Sequence, residues 1–229
     1  MPASRPERIA RQAPGAAVLL LGIVLTACGD RPTPVHEFQF FAMGTLVEVT
    51  LAKVENAPAQ EAQRAIEGLF LRAEEDWDPW RPGALARFNR LLAGGRPFAV
   101  DADLLPLLQG SSELSRRSHG LFDPAIGRLT ELWGFHRDEP RGRPPEPEAI
   151  TSLMRHRPRM SDLKWNGREV RGTNPAVQID LGAYAKGYAV DRAIAHLRDL
   201  GIANALVNAG GDLRAIGRRG ERPWRIGIR

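Results

Sequence analysis

Apolar and polar residues alternate along Phe38 to Leu51, with Val47, Val49 and Leu51 on one face and Glu48 and Thr50 on the other. A period of two predicts a half-buried strand. Met43-Gly44-Thr45 interrupts it, and a glycine within a strand predicts a bulge or a close approach of backbone to something else. The period then changes. Ala62, Ile66, Leu69, Ala73 and Trp77 recur at spacings of three and four, which predicts a helix from Pro58 to Trp77. The turn-rich run Asp78-Pro79-Trp80-Arg81-Pro82-Gly83 ends it and presents an aromatic. A short helix is expected from Ala84 to Leu92. A second amphipathic helix is expected from Asp103 to Ser118, with Leu104, Leu107, Leu108 and Leu114 in the core.

Further along, Asp138 to Glu148 is rich in proline and charge and reads as a surface excursion. Leu163 to Arg171 contains Trp165-Asn166-Gly167-Arg168, and Asn-Gly is the favoured pair for a two-residue hairpin turn. A strand from Ala176 to Asp180 is predicted next. A helix follows from Ala185 to Leu200, with Ala189, Ala193, Leu197 and Leu200 facing the core and Gly201 as its stop. Ala205 to Asn208 reads as a buried strand, continued after Ala209-Gly210-Gly211-Asp212 by Leu213 to Gly217, and Trp224 to Ile228 reads as a last strand. Strands and helices mix without a βαβ rhythm. The expected class is α+β, a mixed or antiparallel sheet with packed helices.

The first 27 residues follow a different logic. Arg5, Arg8 and Arg11 precede an apolar run from Ala16 to Leu25, shorter than the roughly 20 residues that span a bilayer. A basic stretch, a short apolar stretch and small residues before a cut describe a signal peptide. Leu25-Thr26-Ala27-Cys28 resembles a lipobox, whose cysteine carries diacylglycerol and becomes the mature N-terminus. Cys28 is the sole cysteine of the chain, so it forms no internal disulfide and no zinc cluster. The expected organisation is a lipoprotein signal at 1–27, a tether at 28–36 and one domain at 37–229. The implied location is exported, lipid-anchored to a bacterial membrane and facing the periplasm or the cell surface.

Charge narrows the partners. The formal net charge is +5, of which residues 1–27 hold +2, leaving +3 on the remainder. No arginine- or lysine-rich block with interleaved aromatics is present, so nucleic acid is not an expected partner. His36, His119, His136, His156 and His196 form no H-E-x-x-H pair. Serine-hydrolase elbow, Walker A and dinucleotide-fold motifs are also missing.

Four stretches carry candidate chemistry. In Asp180-Leu181-Gly182-Ala183-Tyr184-Ala185-Lys186-Gly187-Tyr188-Ala189-Val190-Asp191 a carboxylate ends a predicted strand and a lysine stands near a helix start. Helix N-termini favour phosphate, although the same residues serve equally well as a helix cap and an exposed lysine. Asn208-Ala209-Gly210-Gly211-Asp212 fits a tight turn as well as a ligand loop. Gly120-Leu121-Phe122-Asp123-Pro124 offers an aromatic and a carboxylate, and Leu132-Trp133-Gly134-Phe135 follows it. Met43-Gly44-Thr45 is the fourth.

Taken in order, these stretches resemble the ApbE family of FAD:protein FMN transferases. The resemblance runs from about Met43 to the end of the chain, and its most specific part is Asp180 to Asp191. It implies magnesium-dependent transfer of FMN from FAD to a threonine or serine hydroxyl of a flavoprotein subunit in an exported electron-transfer complex, with release of AMP. By position, Met43, Trp80, Leu121, Phe122, Asp123, Asp180 and Lys186 would contact FAD. Lys186 would steady the phosphates, Asp180 would orient the flavin or a metal-bound water, and Ala183 would give a backbone carbonyl to Mg²⁺. The resemblance also implies later segments, holding an acidic-plus-threonine metal motif and a base, beyond the predicted strand that ends at Arg229. The metal site within these residues is then expected to be incomplete, and the last strand to leave a sheet edge open. Two other outcomes fit the same residues: a magnesium-dependent FAD pyrophosphatase giving FMN and AMP, and a lipoprotein that binds FAD without reacting.

Overall fold

The computed structural model describes residues 34–137, 139 and 142–227. The expected signal sequence and lipobox, with Cys28, lie outside the described residues. Strand β1 (Val35–Ala42) turns through Met43-Gly44 into β2 (Thr45–Ala52), pairing Val35 with Ala52 and Ala42 with Thr45. The interrupted strand of the sequence reading is thus a tight hairpin. Both turn residues have positive φ, 53° at Met43 and 70° at Gly44, as a hairpin turn matched to strand twist requires. The strand also starts at Val35, inside the range assigned to the tether.

Helix α1 (Asn56–Trp77) buries Ala59, Ala62, Ile66, Phe70, Ala73 and Trp77. Three of these are alanines, which lets the helix axis approach the sheet closely. Phe70 is fully buried and meets Phe40 of β1 edge-on at 5.7 Å, so hairpin and helix share one core. Burial of a side chain of that size contributes about 1.5–3 kcal/mol. Helix α2 (Ala84–Ala93), the two-residue strand β3 (Phe98–Ala99) and helix α3 (Leu105–Arg117) follow. Leu104, Leu107 and Leu108 are buried, but Leu114 is 37% exposed on the outer side of α3. Two helices escaped the sequence reading, α4 (Gly127–Trp133) and α5 (Pro147–Arg155).

A single 3-10 turn, Met160–Asp162, leads into β4 (Leu163–Asn166) and β5 (Glu169–Gly172). Asn166 pairs with Glu169, so the two-residue loop is Gly167-Arg168 and Asn166 closes the strand instead of forming the turn. Val177 to Asp180 joins no ladder; it meets neighbouring backbone through an isolated bridge from Gln178 to Ile126 and a bond from Asp180 N–H to Pro124 O. Helix α6 (Gly182–Asp199) packs Ala185, Ala189, Val190, Ala193, Ile194 and Leu197 inward. Strands β6 (Ala205–Ala209) and β7 (Asp212–Ile216) complete the described ladders, and residues 223–227 carry no strand.

The sheets are antiparallel, with orders β1-β2-β6-β7 and β3-β5-β4. The fold is α+β, as expected. Val47 and Val49 of β2 and Val207 of β6 point into the core beneath α1 and α6, whereas Phe41 and Leu46 on the other face are 70% and 42% exposed. Among the described residues no helix is long and apolar enough to cross a membrane.

Candidate functional site

Topology gathers the motifs at one end of the larger sheet. Helix α1 packs on β1 and on α6, and α6 packs on β6 and β7. The paired glycines close the β6–β7 hairpin with φ of 62° and 102°. A side chain at Gly210 would lie 2.4 Å from the Thr45 hydroxyl, so the β6–β7 turn can abut the Met43 turn only as glycine. Asp212, just past that turn, shares a pocket of about 360 Å³ with Ala183, Tyr184, Gly187 and Asp191 of α6. Met43-Gly44, Gly210-Gly211 and the start of α6 are therefore neighbours. Met43 holds a backbone conformation that side chains with a Cβ adopt rarely, and such strain clusters at functional sites.

Asp180 is placed by three elements. Its backbone N–H donates to Pro124 O at 2.8 Å, tying it to the Leu121–Asp123 loop. Its Oδ1 accepts the Gly182 N–H at 2.8 Å, and its Oδ2 lies 2.7 Å from the Thr130 hydroxyl of α4. That hydroxyl is also 2.8 Å from Gly127 O, so its one proton serves two neighbouring acceptors. The preceding residue, Ile179, is wholly buried, and both its backbone groups pair with the Asn89 side chain of α2: Nδ2 donates to Ile179 O at 2.9 Å, and Ile179 N donates to Oδ1 at 2.8 Å. Asn89 thus substitutes for the missing strand neighbour of residues 176–180.

Lys186 sits one turn into α6. Its Nζ reaches back to Gly182 O at 3.3 Å, which keeps the ammonium over the helix N-terminus. Its charge and the partial positive charge of the helix start add there. Phe122 and Tyr184 pack with centroids 6.1 Å apart, Tyr184 and Tyr188 stack at 5.9 Å, and Tyr188 meets Trp77 at 5.6 Å. Burial, with Tyr188 and Asp191 nearby, raises the Tyr184 phenol above its ordinary value. The space for that ring comes from α3, where a Cβ on Gly110 would fall 2.4 Å from the Tyr184 hydroxyl.

The remaining expected site residues divide. Leu121 is 95% exposed. Asp123 turns its carboxylate into the protein, accepting the N–H groups of Ala125 at 3.0 Å and Met160 at 3.1 Å, so it shapes the loop. Trp80 stands apart from the Met43–Lys186 group. Its ring lies 5.5 Å from His136, and it lines a separate pocket with Val177 and Gln178. Ala183 is the second residue of α6, and among the described residues no group of three or more acidic, histidine or cysteine side chains could hold a metal. One carbonyl does not make the oxygen-rich octahedral shell that Mg²⁺ demands, so these residues do not form a magnesium site by themselves. Thr130, Asn89 and Gly110 had no sequence signal of their own, because each acts through a contact distant in sequence, and Tyr184 stood in the Asp180–Asp191 stretch without an assigned role.

The family model described as "ApbE family" matches residues 43–229. A FAD:protein FMN transferase of Rhodobacter capsulatus is 45% identical over 212 residues, covering 90% of this chain and 39% of that protein. One of Treponema pallidum is 31% identical over 89% of this chain and 60% of its own length. The chain thus spans less than two thirds of these curated relatives. Among solved structures, the flavin transferase ApbE from Vibrio cholerae superposes with a TM-score of 0.78 at 27% identity, covering 86% of this chain and 64% of that one. The apo flavinyl transferase ApbE of Pseudomonas stutzeri gives 0.75 at 31% identity, with 86% and 66% covered. With the motif order, the fold and this match over most of its length in agreement, the chain belongs to the ApbE family.

Proposed function

We propose that this chain carries the FAD-binding part of an enzyme that transfers FMN from FAD to a protein hydroxyl. The observation that supports it most is the convergence of the Met43 turn, the Leu121–Asp123 loop, Asp180 and Lys186 around the start of α6. That end of the fold offers a cationic helix terminus for phosphates beside an aromatic ladder for a flat ring. In the reaction, the phosphorus–oxygen bond to AMP breaks and a phosphoester to a threonine or serine oxygen forms. The hydroxyl proton is lost and AMP departs.

The roles proposed for this chain's residues are binding and orientation. Lys186 and the α6 N-terminus hold the pyrophosphate. Asp180, fixed by Thr130 and Gly182, orients the flavin. Met43, Phe122 and Leu121 contact the ring system, and Trp80 contacts FAD from its separate loop. Magnesium, when bound, would neutralise charge on the pyrophosphate, with Ala183 O as one ligand. The partner is a flavoprotein subunit of an exported electron-transfer complex, reached from a lipid anchor on Cys28 at a bacterial membrane. Mass spectrometry of the membrane fraction tests that anchor by the presence or absence of diacylglycerol on Cys28.

The deciding experiment titrates FAD calorimetrically into the protein from Pro34 onward, with and without Mg²⁺, and assays AMP and acceptor-linked flavin in the same samples. Binding that Lys186→Ala weakens about tenfold supports the assignment, the loss being that of one charge-assisted contact of about 1.4 kcal/mol. Free FMN with AMP indicates a pyrophosphatase, and FAD binding without AMP indicates a non-catalytic flavin protein. A folded sample that binds no FAD overturns the reading.

A further inference from the structure

The pocket beside Trp80 has a chemistry the flavin site does not use. It encloses about 360 Å³ between the Asp78–Gly83 loop, α2 and the Val177–Gln178 segment, and Arg81, Arg90 and Arg128 line it with Trp80 and Gln178. No acidic residue lines it. Asp78 is the nearest compensation. Its Oδ1 accepts the Trp80 and Arg81 amides, and its Oδ2 lies 3.6 Å from Arg81 Nε. Arg128 donates to Pro175 O at 2.7 Å, which fixes the guanidinium without neutralising it. Arg90 has no ion pair or side-chain hydrogen bond among the described residues. Two guanidinium groups therefore face the pocket uncompensated, in a form suited to bidentate recognition of carboxylates.

Position gives this charge a purpose. Arg128 and Thr130 belong to the same short helix, α4. Arg128 lines the pocket and Thr130 holds Asp180, while Asn89 also lines it and holds the neighbouring Ile179, so the pocket lies against the segment that places Asp180. An acceptor protein must bring its hydroxyl there.

We propose that the Arg81–Arg90–Arg128 pocket docks an acidic segment of the acceptor protein, with the segment's carboxylates on the arginines. This rests on the flavin-transfer reading and names the kind of partner that reading requires. A carboxylate-bearing peptide is the occupant that the charge favours, because the lining has three arginines and no acidic residue, and the planar guanidinium fork matches a carboxylate.

The test measures fluorescence anisotropy of a fluorescein-labelled decapeptide rich in aspartate and glutamate, with one threonine, against its asparagine and glutamine counterpart. Tighter binding of the acidic peptide is expected, with weakening of about fivefold or more in Arg90→Glu and in Arg81→Glu. Charge reversal at Arg117, outside the pocket, is expected to leave binding unchanged. Equal loss in Arg117→Glu reduces the effect to overall charge and overturns the proposal. Binding of AMP or inorganic phosphate that Arg90→Glu abolishes, with no binding of the acidic peptide, makes it a phosphate site and also overturns it. FAD titration of Arg90→Glu separates the two readings. Unchanged FAD affinity with lost peptide binding supports the docking pocket. Equal loss of both assigns the arginines to FAD and sinks it. Absence of FAD binding in the parent protein sinks the flavin reading and, with it, this one.

Discussion

Replacing Asn89 with alanine is the sharpest test of how Asp180 is held. Asn89 is 9% exposed, and it satisfies both the N–H and the C=O of a residue with no accessible surface. Alanine leaves two buried backbone groups without partners, each costing about 1–3 kcal/mol. Water entering the vacated space recovers part of that, so a net loss of about 2–4 kcal/mol is expected. For a domain of this size, Tm falls about 2–4 °C per kcal/mol, or about 9 °C at the middle of both ranges. Asn89→Asp keeps the acceptor for Ile179 N–H but sets a carboxylate oxygen against Ile179 O. It should be as harmful at neutral pH and recover toward acid, where the protonated carboxyl donates. The assays are thermal unfolding, amide exchange at Ile179 and FAD titration. An Asn89→Ala protein within about 1 kcal/mol of the parent, with the Ile179 amide still protected, would refute the reasoning.

Other outcomes follow from single contacts. Thr130→Val removes the bond to Asp180 but leaves the Gly182 N–H in place, so a cost of about 1–2 kcal/mol is expected together with weaker FAD binding. Thr130→Ser should restore the affinity, and equal Kd in all three proteins would remove Thr130 as a positioning residue. Gly110→Ala drives a methyl into the Tyr184 hydroxyl and should destabilise by about 1–3 kcal/mol; Tyr184→Phe in the same chain should recover much of that, as a double-mutant cycle by denaturant unfolding will show. The raised Tyr184 phenol gives a pH signature. Its contribution is complete below the ordinary tyrosine value and is lost as pH climbs through the higher folded-state value. Parent and Tyr184→Phe should therefore diverge in Tm only above about pH 10, and identical profiles would contradict the burial of that hydroxyl.

The parts legible in the sequence were those whose partners are local or periodic. Helices α1 and α6 repeat alanine and branched aliphatics every three or four residues, and β2 alternates cleanly. Helix α5 escaped because none of its residues is buried, and α4 because it has only seven residues. Residues 176–180 have the composition of a strand, yet both backbone groups of Ile179 pair with an asparagine side chain ninety residues earlier, which no local pattern announces. Met43-Gly44 lacks the Asn-Gly signature of a tight hairpin and so resembled a flaw in one strand. The candidate site residues stood out as motifs in family order. That the Met43, Gly210 and α6 segments meet was not legible, because strand order depends on long-range pairing.

The order β1-β2-β6-β7 also has a consequence in time. Leu51 pairs with Ala205, so the amino-terminal hairpin acquires its neighbour only after some 150 further residues have been made. At about 5–20 residues per second, that is a wait of roughly 8–30 s on the ribosome. Closing so long a loop is entropically costly and makes folding slow. Since the Met43 turn and the Gly210 turn meet only through that closure, the proposed flavin site is assembled only then. A flavin probe added to a nascent or refolding chain would therefore report completion of the sheet, lagging behind the helical signal that local segments give early.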